Sequence, residues 1–190
     1  GSLISSRSVL TAAHCTYDES GNDVPPSAYM VRVNSTNSNE GGQVVSVVRV
    51  IRHENYNRTS VENDIALLEL NTSVETTYVP LESGSSTKIR DLSFAPVSTE
   101  RPFGKIVGWG ETRSKDYTSA GGQLMEADTP IIDANECNKV MGGMNPYGQI
   151  DNRRICAGKH EGGVDTCAGD SGGPLLAPGS APNQYIQIGI

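Results

Sequence analysis

Aromatic residues are scarce in this chain of 190 residues: one tryptophan, two phenylalanines and seven tyrosines, 5% of the total. Any core must therefore be filled mainly by aliphatic side chains. No apolar run approaches the roughly 20 residues that a membrane-spanning helix needs, so no segment reads as crossing a bilayer. Basic charge is also short, with 15 Lys and Arg against 22 Asp and Glu and a formal net charge of −7. A nucleic-acid surface needs a basic stripe, and none is present. The acidic balance fits a soluble, well-solvated surface. Long amphipathic helices, internal repeats and low-complexity tracts are absent too. The first residue is Gly1, and no charged-then-apolar leader precedes the opening SLISSRSVL.

What is present points to strands. Glycine (21) and proline (10) are plentiful, and β-branched residues recur in short runs. SLISS, AYMVRV, QVVSVVRVIR and DIALLEL read as short alternating strands in the first half, separated by turn-rich ESGNDVPPS and NSTNSNEGG. The segment LESGSSTKIRDLSFAPVSTERP has no period and reads as a linker. Strand signals resume at GKIVGWG, ADTPII, GGPLL and YIQIGI. DANECNKVM alone suggests a short helix, with Asp133 as its N-cap. The expected class is all-β: a barrel or sandwich of two small units joined near residues 85 to 100. The first and last segments both read as strands interrupted by the ends of the chain, which suggests a fragment.

Cys15, Cys137, Cys156 and Cys167 fit no CxxC spacing for metal or redox chemistry, so disulfides in an oxidising compartment are expected instead. Three N-x-S/T sequons, at Asn34, Asn57 and Asn71, agree with secretion.

Three stretches carry candidate chemistry. In TAAHC, His14 precedes Cys15. Alone, such a histidine is more often structural than catalytic. In ENDIALLEL, Asp64 leads an apolar run whose residues Ile65 to Leu68 are expected to be buried. A carboxylate at the mouth of a buried strand is costly unless something donates hydrogen bonds to it. An imidazole N–H would serve; a strand-edge aspartate facing water is the competing reading. In DTCAGDSGGP, Ser171 lies among Asp165, Asp170 and several glycines. A serine hydroxyl needs a base to become a nucleophile. Gly169, Gly172 and Gly173 allow a tight turn that brings N–H groups toward a substrate oxyanion.

TAAHC, DIALL and GDSGGP, in that order, resemble the chymotrypsin/trypsin family of serine endopeptidases, in which His, Asp and Ser form a catalytic triad. GSLIS, IRHENYN, GWG, ICAG and GPLL extend the resemblance over essentially the whole chain. It implies one peptidase domain, partial at both ends, built of two six-stranded antiparallel Greek-key barrels. Residues 1–90 would form the first and residues 101–190 the second, with the active site between them. It implies Ser171 as nucleophile, His14 as general base and then acid, and Asp64 as the group that orients His14. The N–H groups of Gly169 and Ser171 would form the oxyanion hole. Asp165, six residues before Ser171, would lie at the base of the primary pocket with Thr166 beside it, selecting Arg or Lys. Asp170 would pair with an α-amino group released on zymogen activation.

The resemblance further implies a Cys137–Cys156 disulfide, and partners for Cys15 and Cys167 that lie outside these residues. The loop NSTNSNEGG matches a region where some members bind calcium, but Glu40 is its only carboxylate. No metal and no cofactor is therefore expected. Expected partners are protein or peptide substrates bearing Arg or Lys, and protein inhibitors, with a secreted monomer acting outside the cell. Nucleic acid and membranes are not expected partners. The alternative is a non-catalytic homologue that binds or inhibits another protein on the same scaffold. Such homologues usually lose a triad member, and this chain keeps all three.

Overall fold

The computed structural model describes residues 1–82, 103–113, 115–141, 148–151 and 153–190. Among the described residues ten strands form two antiparallel sheets, and helices are few. The first sheet has the order β1-β2-β5-β4-β3, built from β1 (Ser2–Ser5), β2 (Ser8–Thr11), β3 (Met30–Val33), β4 (Gln43–Arg52) and β5 (Ala66–Leu70). The second has the order β10-β9-β6-β7-β8, from β6 (Phe103–Gly108), β7 (Met125–Ile132), β8 (Cys156–Ala157), β9 (Leu175–Pro178) and β10 (Tyr185–Gly189). This is the two-sheet, all-β architecture expected of the two-barrel class, with five strands in each sheet among the described residues. The linker expected from the polar segment falls mostly outside the described residues. Its first residues are pinned: Leu81 bridges Gln187, and Glu82 N–H donates to the Gln187 carbonyl at 3.0 Å.

Valine-rich β4 and leucine-rich β5 supply the core of the first sheet. Val9, Val33, Val45, Val47, Leu68, Leu70 and Val74 are buried together. Side chains alternate across a strand, so only every second residue of β5 faces this core. Ala66, Leu68 and Leu70 are buried, whereas Leu67 is half-buried and Ile65 exposed. The expectation that Ile65 to Leu68 are all buried is thus corrected: an unbroken apolar run still obeys the two-residue period.

The short helix forms as expected. In α1 (Ala134–Met141), Asp133 Oδ1 accepts the N–H groups of Asn135 and Glu136, each at 3.0 Å, satisfying two donors that a helix N-terminus leaves free. Cys137 of α1 is buried and disulfide-bonded to Cys156 of β8, which ties the helix to the edge of the second sheet.

Candidate active site

His14 opens a single 3-10 turn, His14–Thr16, that follows β2, and Asp64 lies two residues before β5. Because β2 and β5 are hydrogen-bonded neighbours, with Thr11 opposite Ala66, the two side chains emerge at the same end of the sheet. Asp64 grips His14 twice. Its Oδ1 accepts the His14 backbone N–H and its Oδ2 meets ring Nδ1, both at 2.7 Å. A carboxylate so placed fixes Nδ1 as the protonated nitrogen and leaves Nε2 as the ring's reactive face. The Asp64 carboxylate first, and the Cys15 thiol second, raise the His14 pKa well above the ordinary imidazole value, while burial opposes them. Nε2 faces Cys15, whose sulfur lies 3.5 Å away.

The serine comes from the other sheet. Tight turns build its loop: Asp170 N–H donates to the Cys167 carbonyl at 3.0 Å, and Gly173 N–H to the Asp170 carbonyl at 2.8 Å. Gly169 and Gly172 have φ of 94° and 75°, a region that residues with a Cβ rarely adopt. Gly172 is also where the two halves meet. A Cβ there would run into Thr11 Oγ1 and come within 3.0 Å of Ala12 N and 3.3 Å of Cys15 Sγ. The bare backbone at Gly172 thus lets the serine loop lie against residues 11–15. Cys15 reinforces the contact, its thiol donating to the Ser171 carbonyl at 3.5 Å.

His14, Asp64 and Ser171 line one cavity of 590 Å³, together with Asp165, Thr166 and Asp170. A family model described as Trypsin matches residues 1–190. The chain belongs to the trypsin family. It is 36% identical to "Trypsin 5G1" of Aedes aegypti over 93% of this chain and 60% of that protein. It is 37% identical to "Trypsin" of Simulium vittatum over 94% of this chain and 66% of that protein. It is 34% identical to "Proclotting enzyme" of Tachypleus tridentatus over 100% of this chain and 50% of that protein. The chain spans between about half and two thirds of the length of these relatives.

In this trypsin-family chain the remaining predicted residues fall as follows. Asp170 points back from the serine loop toward the GWG segment. Its Oδ1 accepts Gly110 N–H at 2.8 Å and its Oδ2 accepts Cys167 N–H at 3.0 Å. A Cβ on Gly110 would sit 2.5–2.7 Å from that carboxylate, and one on Gly108 would collide with its Oδ1. GWG therefore needs its glycines to admit Asp170. Asp165 is exposed on the cavity wall, with its Oδ1 accepting Thr166 N–H at 2.8 Å, rather than sunk in a slot. Asn34, Asn57 and Asn71 are all exposed.

The NSTNSNEGG loop wraps a basic side chain of the chain itself. The guanidinium of Arg32 fills the loop, donating to the carbonyls of Ser38 at 3.0 Å, Asn39 at 3.2 Å and Gly41. Glu40 instead accepts from Asn37 Nδ2 at 3.1 Å. Carbonyls that could converge on a cation already surround one belonging to the chain.

Sequence reasoning missed two features beside the site. Arg153 of the second half pairs with Glu62 Oε1 at 2.9 Å, just before Asp64, and the residues flanking Glu62, Val61 and Asn63, have positive φ of 52° and 56°. Glu111 is buried against the serine loop, with Oε2 3.8 Å from Cys167 Sγ and Oε1 without a partner among the described residues. Neither follows from a motif, because each depends on contacts between distant segments. The positive-φ valine could not be read from sequence either, since valine disfavours that region.

Proposed function

We propose that the protein is a secreted serine endopeptidase that cleaves after Arg or Lys through an acyl-enzyme. The double grip of Asp64 on His14, in one cavity with Ser171 on its glycine-rich turn, is the observation that carries this reading. In the proposed reaction Ser171 Oγ attacks the scissile carbonyl carbon as its proton passes to His14 Nε2. The carbonyl oxygen, now negative, is held by the N–H groups of Gly169 and Ser171. The intermediate collapses, the C–N bond breaks, and the leaving amine takes the proton from Nε2. Water, deprotonated by the same nitrogen, then hydrolyses the Ser171 ester. Asp64 keeps its negative charge throughout, orienting the ring and stabilising the imidazolium.

In this reading residues 1–90 and 101–190 make up the two barrels, with the active site between them. Asp165 attracts the cationic side chain before the scissile bond, with Thr166 adding a hydroxyl, because opposite charges attract more strongly as water is excluded. Asp170, now held by two backbone N–H groups, pairs with an α-amino group upon zymogen activation. The family resemblance supports secretion, with Asn34, Asn57 and Asn71 as glycosylation sites, a monomeric enzyme, and protein substrates and inhibitors as partners. Among the described residues no helix is long and apolar enough to cross a membrane.

Two measurements on the full-length protein test the reading. Labelling of Ser171 by an organophosphonate separates an enzyme from a non-catalytic homologue. Turnover of two peptides that differ only in Arg versus Phe before the scissile bond tests Asp165; a preference for Phe sinks the Arg/Lys assignment.

A further inference from the structure

Arg52 is the last residue of β4 and pairs across the sheet with Ala66, two residues after Asp64. Its side chain is mostly buried and reaches under the turn that carries His14. Nε donates to Thr16 Oγ1 at 2.6 Å, Nη2 donates to the Thr16 carbonyl at 2.8 Å, and Nη1 lies 3.2 Å from the Asp23 carboxylate. The guanidinium carbon also stands 4.3 Å from the centre of the Tyr17 ring.

The chemistry of Thr16 gives this contact a direction. Thr16 is 1% exposed, and its hydroxyl proton is committed to the Ala13 carbonyl at 2.6 Å. With the proton so placed, Oγ1 can only accept. A guanidinium is a permanent donor, and it supplies both Thr16 oxygens at once. The result is a one-way chain, from Arg52 N–H to the Thr16 hydroxyl to the carbonyl of Ala13, the residue before His14. Ala13 is itself fully buried, and its carbonyl also accepts Thr16 N–H at 3.0 Å.

We infer that Arg52 is a positioning residue for His14: it locks the His14 turn to the strand beside Asp64 and so holds ring Nδ1 on the carboxylate. The inference rests on the peptidase reading for its effect on turnover, but the positioning itself can be read without activity. Arg52 touches neither triad residue but ties their segments together, pairing with Ala66 two residues after Asp64 and donating to Thr16 two residues after His14. Losing it leaves the buried Thr16 Oγ1 without a donor and the Thr16 carbonyl held only by the Val24 N–H at 3.1 Å, so the turn loses its tie to β4. Hydrophobic replacement cannot reproduce this. A lysine retains the charge but not the planar fork that meets two acceptors in fixed geometry.

The test uses the full-length protein with R52M, R52K, T16V and the R52M/T16V pair. R52M and T16V should each lower kcat about tenfold with KM unchanged within twofold, since a misplaced base affects the chemical step. The pair should cost no more than either alone, because both break one chain. R52K should fall between wild type and R52M. Independently, the His14 titration is followed by NMR in an S171A background. The groups facing the ring are Asp64 and Cys15, with the Tyr56 phenol near Asp64. A loosened carboxylate contact should move the His14 pKa downward in R52M and T16V. Wild-type kcat in both variants, additive losses, or an unmoved His14 titration overturns the inference. Failure of the wild type itself to turn over or label overturns the peptidase reading, while the His14 titration still judges Arg52. If R52M does not fold, T16V and R52K carry the same comparison.

Discussion

The Asp64 carboxylate holds His14 by both its backbone N–H and its ring Nδ1, each at 2.7 Å. One oxygen fixes where the residue's main chain lies, and the other fixes the tautomer and tilt of its ring. The two functions are separable, because an amide could keep a contact with one and not the other.

D64N therefore should not behave as a simple loss of structure. The side-chain oxygen of asparagine can still accept the His14 backbone N–H, so the fold should persist. Its NH₂ group then faces Nδ1 as a donor and favours the tautomer that protonates Nε2, the wrong nitrogen for a base. We expect kcat to fall by roughly 10³–10⁴, with a melting temperature close to wild type. Steady-state kinetics and thermal denaturation on the same preparation check this. A loss of only a few fold would mean that Asp64 does not set the tautomer.

The pH profile follows from the same contact. Asp64 first and Cys15 second raise the His14 pKa. A general base must be neutral, so the acid limb of kcat/KM should lie above the ordinary imidazole value of about 6.5. D64N should move that limb to lower pH. Stability responds in the opposite sense. A histidine whose folded pKa is raised stabilises the fold at pH values below its unfolded pKa. That contribution fades as pH rises through the folded value. Unfolding midpoints measured across this range should fall with pH in wild type, and less steeply in D64N. An acid limb at or below 6.5 in wild type would contradict the arrangement.

Gly172 is the joint between the serine loop and the histidine segment. G172A places a methyl group against Thr11 Oγ1, Ala12 N and Cys15 Sγ and also imposes a side chain at φ 75°. Both effects are unfavourable, and together they should destabilise the protein by about 1–3 kcal/mol. Turnover should fall by more than the stability loss explains, since the methyl pushes Ser171 away from His14. Comparing G172A with G122A tests this, because Gly122 has a similar φ of 73° but open space around its Cβ position. Equal turnover in the two variants would show that backbone strain, not the joint, is responsible.

Much of this was legible in the sequence for reasons that can be named. Segments with period-two alternation became strands, and QVVSVVRVIR matches β4 over its full length. Asp133 was recognisable as a cap because the capping bond is local. The three site segments were recognisable because each needs a fixed residue type at a fixed place. Contacts that join distant segments through generic residues were not legible. Arg32 inside its own loop, Arg52 under Thr16, and Arg153 on Glu62 are all arginines in unremarkable contexts. No motif marks their acceptors, which are loop carbonyls for Arg32, the Thr16 oxygens and Asp23 for Arg52, and carboxylates for Arg153. The exposure of Ile65 departs from expectation for a different reason: strand parity, not apolar identity, decides which face a residue takes.

Arg32 supplies the last prediction. Its guanidinium donates to the carbonyls of Ser38, Asn39 and Gly41, while Ser35 Oγ donates to the Glu40 carbonyl at 2.7 Å. A loop of this kind would otherwise expose a ring of inward carbonyls, an arrangement that attracts hard cations through oxygen ligands. Here the cation is covalently part of β3, and its charge is balanced by carbonyl dipoles. R32M removes it while preserving most of the side-chain volume. The carbonyls then exchange their donors for water, and stability should fall by about 0.5–1.5 kcal/mol, the net worth of hydrogen bonds whose acceptors solvent can reach. Calcium should leave the wild-type melting temperature unchanged, because entry would set two cations against each other. EDTA should have no effect for the same reason. Thermal denaturation of wild type and R32M, each with millimolar calcium and with EDTA, checks the argument. A wild-type melting temperature that rises with calcium would show that Arg32 does not occupy the loop as a built-in cation.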